Sequence, residues 1–278
     1  MAPADSSTGA AGTAGLDYEI PAELDDASIM RLTQNIKDEE AAKHPLVGDL
    51  RTLDDLLSEY VDDTYRAKIN SLKQDQTAGQ YRPVRGDGNC AWRAFAYRYF
   101  EMLIGLPADK IAAEAAALKA RSPLLLQAGY EEIAYEEFLE ETFALFERLP
   151  TIGSCDAFLA DFNNVEVSSA IIVHLRLLTA AYIKTHVDDY MPFIDEGEGV
   201  DISEYCSRHI EAFAVEADHL ALSALVNVIG RVDLRVVYMD RSYGDTPVTH
   251  DFSPMEAAGD LPKIELLYRP GHYDIFYA

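Results

Sequence analysis

The stretch Arg85-Gly86-Asp87-Gly88-Asn89-Cys90 places a thiol directly after a tight turn, and Ala91, Phe95, Tyr99, Met102 and Leu103 then recur at helical spacing. A thiol attacks carbonyl carbon as its thiolate, and a helix N-terminus favours that anion through its dipole and free N–H groups. Two glycines let the backbone fold tightly, so successive N–H groups can face one small space and hold an oxyanion. Asp87 and Asn89 can tie the turn through side-chain to backbone hydrogen bonds. Cys90 is thus a candidate nucleophile. The same letters also read as ordinary turn chemistry ahead of a buried cysteine, so the case needs a base.

Seven histidines are available. His272 lies in Arg269-Pro270-Gly271-His272-Tyr273-Asp274, where Pro and Gly make a turn and a strand follows. Residues i and i+2 of a strand face the same way. Asp274 can therefore reach the His272 ring, fix its tautomer and stabilise the imidazolium, the part of the third group in a catalytic triad. A surface histidine beside a strand aspartate is the plain alternative. The other histidines rank lower: His44 precedes a proline near the domain start, His174 reads as a satisfied core residue, His186 and His250 as loop residues, His209 as a complement to a helix end, and His219 as the neighbour of a capping Asp218. Glu216, Asp218 and His219 have metal-like spacing in one short cluster only. No Gly-rich phosphate loop and no G-x-S-x-G elbow occurs.

Elements that could position these groups follow from periodicity. One amphipathic helix is predicted over Asp54–Leu72, and a short extended piece over Tyr81–Arg85. Helices are predicted from Cys90 to Ile104 and at Asp109–Lys119, Tyr135–Arg148, Cys155–Phe162, Ser168–Lys184, Ile202–Ile210 and Asp218–Ile229. Leu234–Met239, Ile264–Tyr268 and Tyr273–Tyr277 read as strands. Asp188–Phe193 reads as a loop. Residues 1–40 are expected to form a tail: disordered to about Gly15, then acidic with a short helix near Ile29–Asp38. The catalytic domain is expected over 41–278, with the compact part starting near His44.

Forty-eight acidic against 23 basic residues give a formal charge of −25, which repels phosphate backbones and anionic membrane surfaces. Neither nucleic acid nor a membrane is expected as a partner. Three widely spaced cysteines, Cys90, Cys155 and Cys206, suggest neither a zinc site nor a disulfide framework and favour a reducing compartment. No signal peptide and no apolar run of membrane-spanning length is read. The expected location is cytosolic or nuclear.

The segments Arg85-Gly-Asp-Gly-Asn-Cys-Ala-Trp-Arg-Ala-Phe95 and Leu266-Leu-Tyr-Arg-Pro-Gly-His-Tyr-Asp-Ile-Phe276 resemble the catalytic motifs of the otubains, ubiquitin-specific cysteine proteases of the ovarian tumour class. His44-Pro-Leu-Val47, Phe162-Asn-Asn164, Leu175-Arg-Leu-Leu-Thr179, Asp218-His219 and Val237-Tyr-Met-Asp-Arg241 resemble the family in the same order. The resemblance implies an α+β, papain-like cysteine protease fold: a helical body, a small C-terminal β-sheet and the nucleophile at the N-terminus of a central helix. It implies hydrolysis of isopeptide bonds in ubiquitin chains without metal or cofactor. Cys90 is the nucleophile, His272 the base and then acid, and Asp274 its orienter. The backbone at Asp87 and the Cys90 N–H form the oxyanion hole. Ala91 and Trp92 stand where an aromatic pair is familiar; Trp92 is either core or channel lining, with core favoured. Tyr190 and Phe193 are candidate ubiquitin contacts, with satellite core as the alternative. Two other functions stay open: a binding module that inhibits ubiquitin-conjugating enzymes, and a protease for a ubiquitin-like modifier.

Overall fold

The computed structural model describes residues 43–74, 79–194, 199–242, 244–257 and 259–278. The expected tail and its short helix lie outside them. The helix predicted over Asp54–Leu72 is two. Strand β1 (Arg51–Thr52) runs into α1 (Leu53–Glu59), which ends at an extended Tyr60, and α2 (Asp63–Gln74) follows. Thr52 and Asp55 close a capping box on α1. The Asp62 carboxylate accepts the Thr64 N–H at 2.9 Å and gives the second helix its own start. That Asp-x-Thr cap inside an unbroken apolar repeat is the signal the periodicity concealed.

β2 (Gln80–Arg82) precedes α3 (Cys90–Glu101). The helical body continues with α4 (Ala108–Lys119), α5 (Pro123–Gln127), α6 (Glu136–Arg148), α7 (Cys155–Phe162), α8 (Val165–Thr185), α9 (Val187–Ile194) and α10 (Ile202–Tyr205). A π-helical turn over Cys206–Glu211 then leads to α11 (His219–Ile229). The helix expected over Ile202–Ile210 thus changes hydrogen-bond pattern midway, and α9 replaces the expected loop at Asp188–Phe193. The expectation that no apolar run reaches membrane-spanning length is corrected by α8. At 21 residues, this helix is long and apolar enough to cross a membrane. Ile171, Ile172, Leu175 and Leu178 instead fill the protein's own core.

The strands β3 (Asp233–Tyr238), β4 (Val248–Phe252), β5 (Lys263–Arg269) and β6 (His272–Tyr277) join β1 and β2 in one sheet of order β1-β2-β6-β5-β3-β4. Among these strand pairs, β3 and β5 alone run parallel. The sheet is therefore not purely C-terminal: β2 pairs with β6 and brings the chain leading to Cys90 beside the strand that carries His272. The turn between β5 and β6 is two residues, Pro270 and Gly271, with Gly271 at φ 75°.

Alternation splits the sheet between two cores. Val236, Leu266 and Ile275 point into the large one with α3, α8 and α11. Val237, Leu267 and Phe276 point into the smaller one beneath α1 and α2, with Leu53, Leu56 and Ile69. By the same period of two, His272 and Asp274 share the α1–α2 face with Phe276. Helix α3 is wrapped on all sides, with Arg98 its one residue not buried, so its N-terminus cannot shift without disturbing both the sheet and α8.

His174 is less well satisfied than expected. The Thr142 hydroxyl donates to the Phe138 carbonyl at 2.8 Å, so it accepts from Nδ1–H of His174 at 3.0 Å, while Nε2 is buried without a partner. Burial holds its pKa down to about 4. The unfolded chain takes up this proton below about pH 6.5 and the folded protein does not until about pH 4. Stability is therefore lost as pH falls through that window, at up to about 1.4 kcal/mol per pH unit and about 3 kcal/mol in all. Chemical denaturation of His174→Asn between pH 7 and 4 should show a shallower loss than the wild type by that amount. Parallel curves for the two proteins would contradict this reading.

Candidate active site

The turn before α3 is fitted around two glycines. Gly88 adopts φ 77°, and a Cβ there would lie 1.9 Å from the carbonyl oxygen of Ala214. A Cβ on Gly86 would come to 3.4 Å from Nδ1 of His272. The first glycine thus leaves room for the base, and the second lets the turn meet the 212–217 segment backbone to backbone.

The aspartate and asparagine of the turn do different work. Asp87 Oδ1 accepts the Asn89 N–H at 3.0 Å and a guanidinium N–H of buried Arg93 at 2.8 Å, which pins the turn to α3. Asn89, the N-cap residue, makes no side-chain cap. Its Oδ1 accepts instead from Arg176 at 2.8 Å and from the Ala214 N–H at 3.0 Å. Arg176 also donates to the carbonyls of Gly88, Ile210 and Val215. Burial without a carboxylate partner draws its pKa down to about 10. Its guanidinium lies 4.8 Å from the centre of the Trp92 ring, and Trp92 is fully buried, the core alternative of the two weighed for it. The oxyanion expectation needs a correction of geometry. The Asp87 N–H donates to the Arg85 carbonyl at 3.1 Å, so this expected donor is engaged within the turn, and the Asp87 side chain belongs to Arg93. The Cys90 N–H sits in the first turn of α3, where helical N–H groups have no partner four residues back.

Cys90 is 2% exposed, and its sulfur lies near enough to His272 to act on the charge of the ring. Nε2 of His272 meets Asp274 Oδ1 at 2.8 Å, which leaves Nδ1, the nitrogen beside Gly86, for the thiol. Asp274 is fully buried. Oδ1 also accepts the Val84 N–H at 2.9 Å, and Oδ2 accepts from Arg269. Burial works against charge on His272, but the hydrogen bond to Asp274, the charge of that carboxylate and the nearby Cys90 sulfur outweigh it and raise its pKa to about 9. Burial likewise opposes the Asp274 carboxylate, and His272, Arg269 and the Val84 N–H together hold its pKa below the ordinary value. A cavity of about 970 Å³ opens beside His272 and Gly86, walled by His44, Glu59, Tyr60 and Arg269 among others.

The remaining candidates separate. Tyr190 is 4% exposed, packs edge-on against Tyr182 and accepts from Asn227, so it is satellite core rather than a contact surface. Its neighbour Phe193 is 71% exposed. Asp218 caps α11 and accepts from the Tyr205 hydroxyl, and no group of three or more His, Cys, Asp or Glu among the described residues could hold a metal ion. Sequence reasoning does not single out Arg93, Arg176 or Arg269 as site residues. Arg269 stands within the His272 motif, and its register opposite His272 was the available signal.

The sequence pattern of the peptidase C65 otubain family matches residues 39–278. Ubiquitin thioesterase OTUB1 of Homo sapiens is 35% identical over 254 residues, which cover 91% of this chain and 90% of that protein. The OVARIAN TUMOR DOMAIN-containing deubiquitinating enzyme 1 of Arabidopsis thaliana is 35% identical over 267 residues, covering 87% of this chain and 84% of that protein. Two solved structures, of h/ceOTUB1 with ubiquitin aldehyde and either UBC13~Ub or UBCH5B~Ub, each superpose with a TM-score of 0.79 at 29% identity. They cover 91% of this chain and 98% and 97% of theirs. With a thiol, a base and a carboxylate gathered at the head of a buried helix, and with this likeness across the whole described body, the chain belongs to the otubain family of C65 peptidases.

Proposed function

We propose that the chain is a thiol-dependent ubiquitinyl hydrolase that cleaves isopeptide bonds in ubiquitin chains. The observation that carries this reading is Nε2 of His272 bonded to the buried carboxylate of Asp274 while Nδ1 faces Gly86 in the turn that leads into Cys90. The Cys90 sulfur adds to the carbonyl carbon of the C-terminal glycine of ubiquitin. The oxyanion faces the Cys90 N–H, and the Asp87 N–H becomes a second donor if its peptide turns from Arg85. His272 gives a proton from Nδ1 to the departing lysine amine as the C–N bond breaks, leaving a thioester. It then takes a proton from water, whose oxygen attacks the thioester and releases the glycine carboxylate and the thiol. Asp274 stabilises the imidazolium through Nε2 and stays ionised.

Ubiquitin chains are the expected substrate because the similar proteins carry ubiquitin thioesterase and deubiquitinating names. Phe193, 71% exposed and more so than Val187 of the same helix α9, is an apolar side chain that a ubiquitin face can cover. A second reading, restraint of ubiquitin-conjugating enzymes by binding, is favoured by the solved complexes that contain UBC13~Ub and UBCH5B~Ub. The three free cysteines favour a reducing compartment, cytosol or nucleus.

Purified protein incubated with linkage-defined di-ubiquitins should cleave at least one linkage, and Cys90→Ala none. Equal cleavage by the variant, or none by the wild type, sinks the proposal. The basic side of the kcat/KM profile should fall near pH 9, where His272 loses its proton. Asp274→Asn should move that fall toward pH 6.5 and lower kcat/KM by roughly 10²-fold; an unmoved limb contradicts the assigned role. For the second reading, Cys90→Ala should still suppress chain synthesis by a conjugating enzyme, and suppression that disappears with the thiol excludes it.

A further inference from the structure

The hairpin that carries His272 breaks a local rule. Arg269 and His272 are directly opposed across β5 and β6, a pairing of two cationic groups that ordinarily destabilises a sheet. Both grip the same carboxylate. His272 takes Oδ1 of Asp274, and Arg269 takes Oδ2 through Nη2. The other arm of the Arg269 fork, Nη1, donates to Oε2 of Glu59 at 3.2 Å.

Glu59 breaks a second rule. It is the last residue of α1, where a negative charge opposes the helix dipole. The Tyr81 hydroxyl at 3.2 Å and Arg51 at 3.5 Å both donate to its Oε1, so its position is defined from three sides. Two locally unfavourable placements that meet in one ion-pair chain ending on the catalytic carboxylate are the pattern of a site held for function.

We propose that Arg269 is a positioning residue of the reaction, holding the outer oxygen of Asp274 so that the inner one stays aimed at Nε2 of His272, and that Glu59 aims Arg269. This rests on the triad reading above. The chemistry calls for such a group. His272 alternates between imidazolium and imidazole in each turnover. Whenever it is neutral, the fully buried Asp274 carboxylate would lack any cation if His272 were its sole partner, and a buried unpaired charge is strongly unfavourable. Arg269 keeps its charge through both half-reactions, so Asp274 neither takes the proton nor swings away. Partners on both oxygens, His272 and the Val84 N–H on Oδ1 and Arg269 on Oδ2, also fix the carboxylate plane, which a single His–Asp contact does not.

The charged and titratable groups around His272 are Asp274 on its own strand, Arg269 on β5, Cys90 at the head of α3, Glu59 behind Arg269 on α1, Glu216 from the segment before α11, and His44, Tyr60, Arg85 and Arg241 along the cavity beside it. Of these, Arg269 is the cation that shares the carboxylate. Its removal leaves Asp274 wholly to the imidazolium, so the basic limb of kcat/KM moves up in pH while the rate falls because the carboxylate is no longer held.

The test compares full pH profiles of ubiquitin-chain cleavage for the wild type, Arg269→Gln, Arg269→Lys, Glu59→Gln, Asp274→Asn and the Arg269→Gln/Asp274→Asn double variant. Arg269→Gln should lower kcat by roughly 10-fold to 10²-fold at near-constant KM and raise the basic limb by about half a pH unit or more. Arg269→Lys should return the limb toward the wild-type position. Glu59→Gln should act in the same direction by roughly 3-fold to 10-fold, and it decides the question if Arg269→Gln does not fold. In the Asp274→Asn background Arg269→Gln should change kcat by less than about 2-fold. An unchanged limb in a folded Arg269→Gln protein, or a loss that adds in full on Asp274→Asn, overturns the proposal. If Asp274→Asn itself has no effect, it is the triad reading that fails.

Discussion

The site is organised by one buried carboxylate. Asp274 is removed from water at the centre of the sheet and stays charged only because His272, Arg269 and the Val84 N–H surround it. Those three partners come from β6, β5 and the chain just beyond β2. The carboxylate therefore welds the hairpin to the strand that leads into the Cys90 turn. Loss of any one partner leaves charge or a donor stranded in the interior, which is costly. The requirement is met by topology: β2 lies against β6, so the segment carrying the nucleophile and the strand carrying the base leave the sheet side by side.

The nucleophile turn is held by a second, independent set of contacts. Arg176 on α8 reaches Gly88, Asn89, Ile210 and Val215, and Asp87 is tied to Arg93 on α3. Each half of the site is thus fixed to a different part of the body, the thiol to α3 and α8 and the base to the sheet and α1. They approach one another at Gly86, where a Cβ would come into contact with Nδ1 of the imidazole. The Asp87 N–H is bonded to the Arg85 carbonyl, so this expected oxyanion donor is engaged within the turn.

The sequence revealed the chemistry better than the scaffold around it. Cys90, His272 and Asp274 were legible because each sits in a short local signal, a Gly-Asp-Gly-Asn turn or an i, i+2 pair on a strand. Most helices were legible from their period. What escaped depends on pairing between distant segments. The edge strand Val248–Phe252 shows no clean alternation, since four of its five residues are exposed. β2 is only three residues long: the extended piece expected at Tyr81–Arg85 overlaps it, but its pairing with β6 could not be read. The split of α1 from α2 hides beneath a continuous apolar repeat, interrupted only by the Asp62 cap. Tyr190 and Phe193 share one sequence context, and burial alone separates them, because α9 turns one face inward. Arg269 and Arg176 read as ordinary charged residues until the register and the buried turn place them.

Exposure and reactivity make opposite demands on the three thiols, and this gives the most direct measurement. Cys155 is exposed, whereas Cys90 and Cys206 are buried. Treatment with ubiquitin carrying a C-terminal electrophile, followed by mass mapping of the adduct, should place a single ubiquitin on Cys90 and none on Cys155. His272→Ala should abolish that adduct while an ordinary alkylating reagent still modifies Cys155. An adduct on Cys155, or on Cys90 at an undiminished rate without His272, would contradict the account.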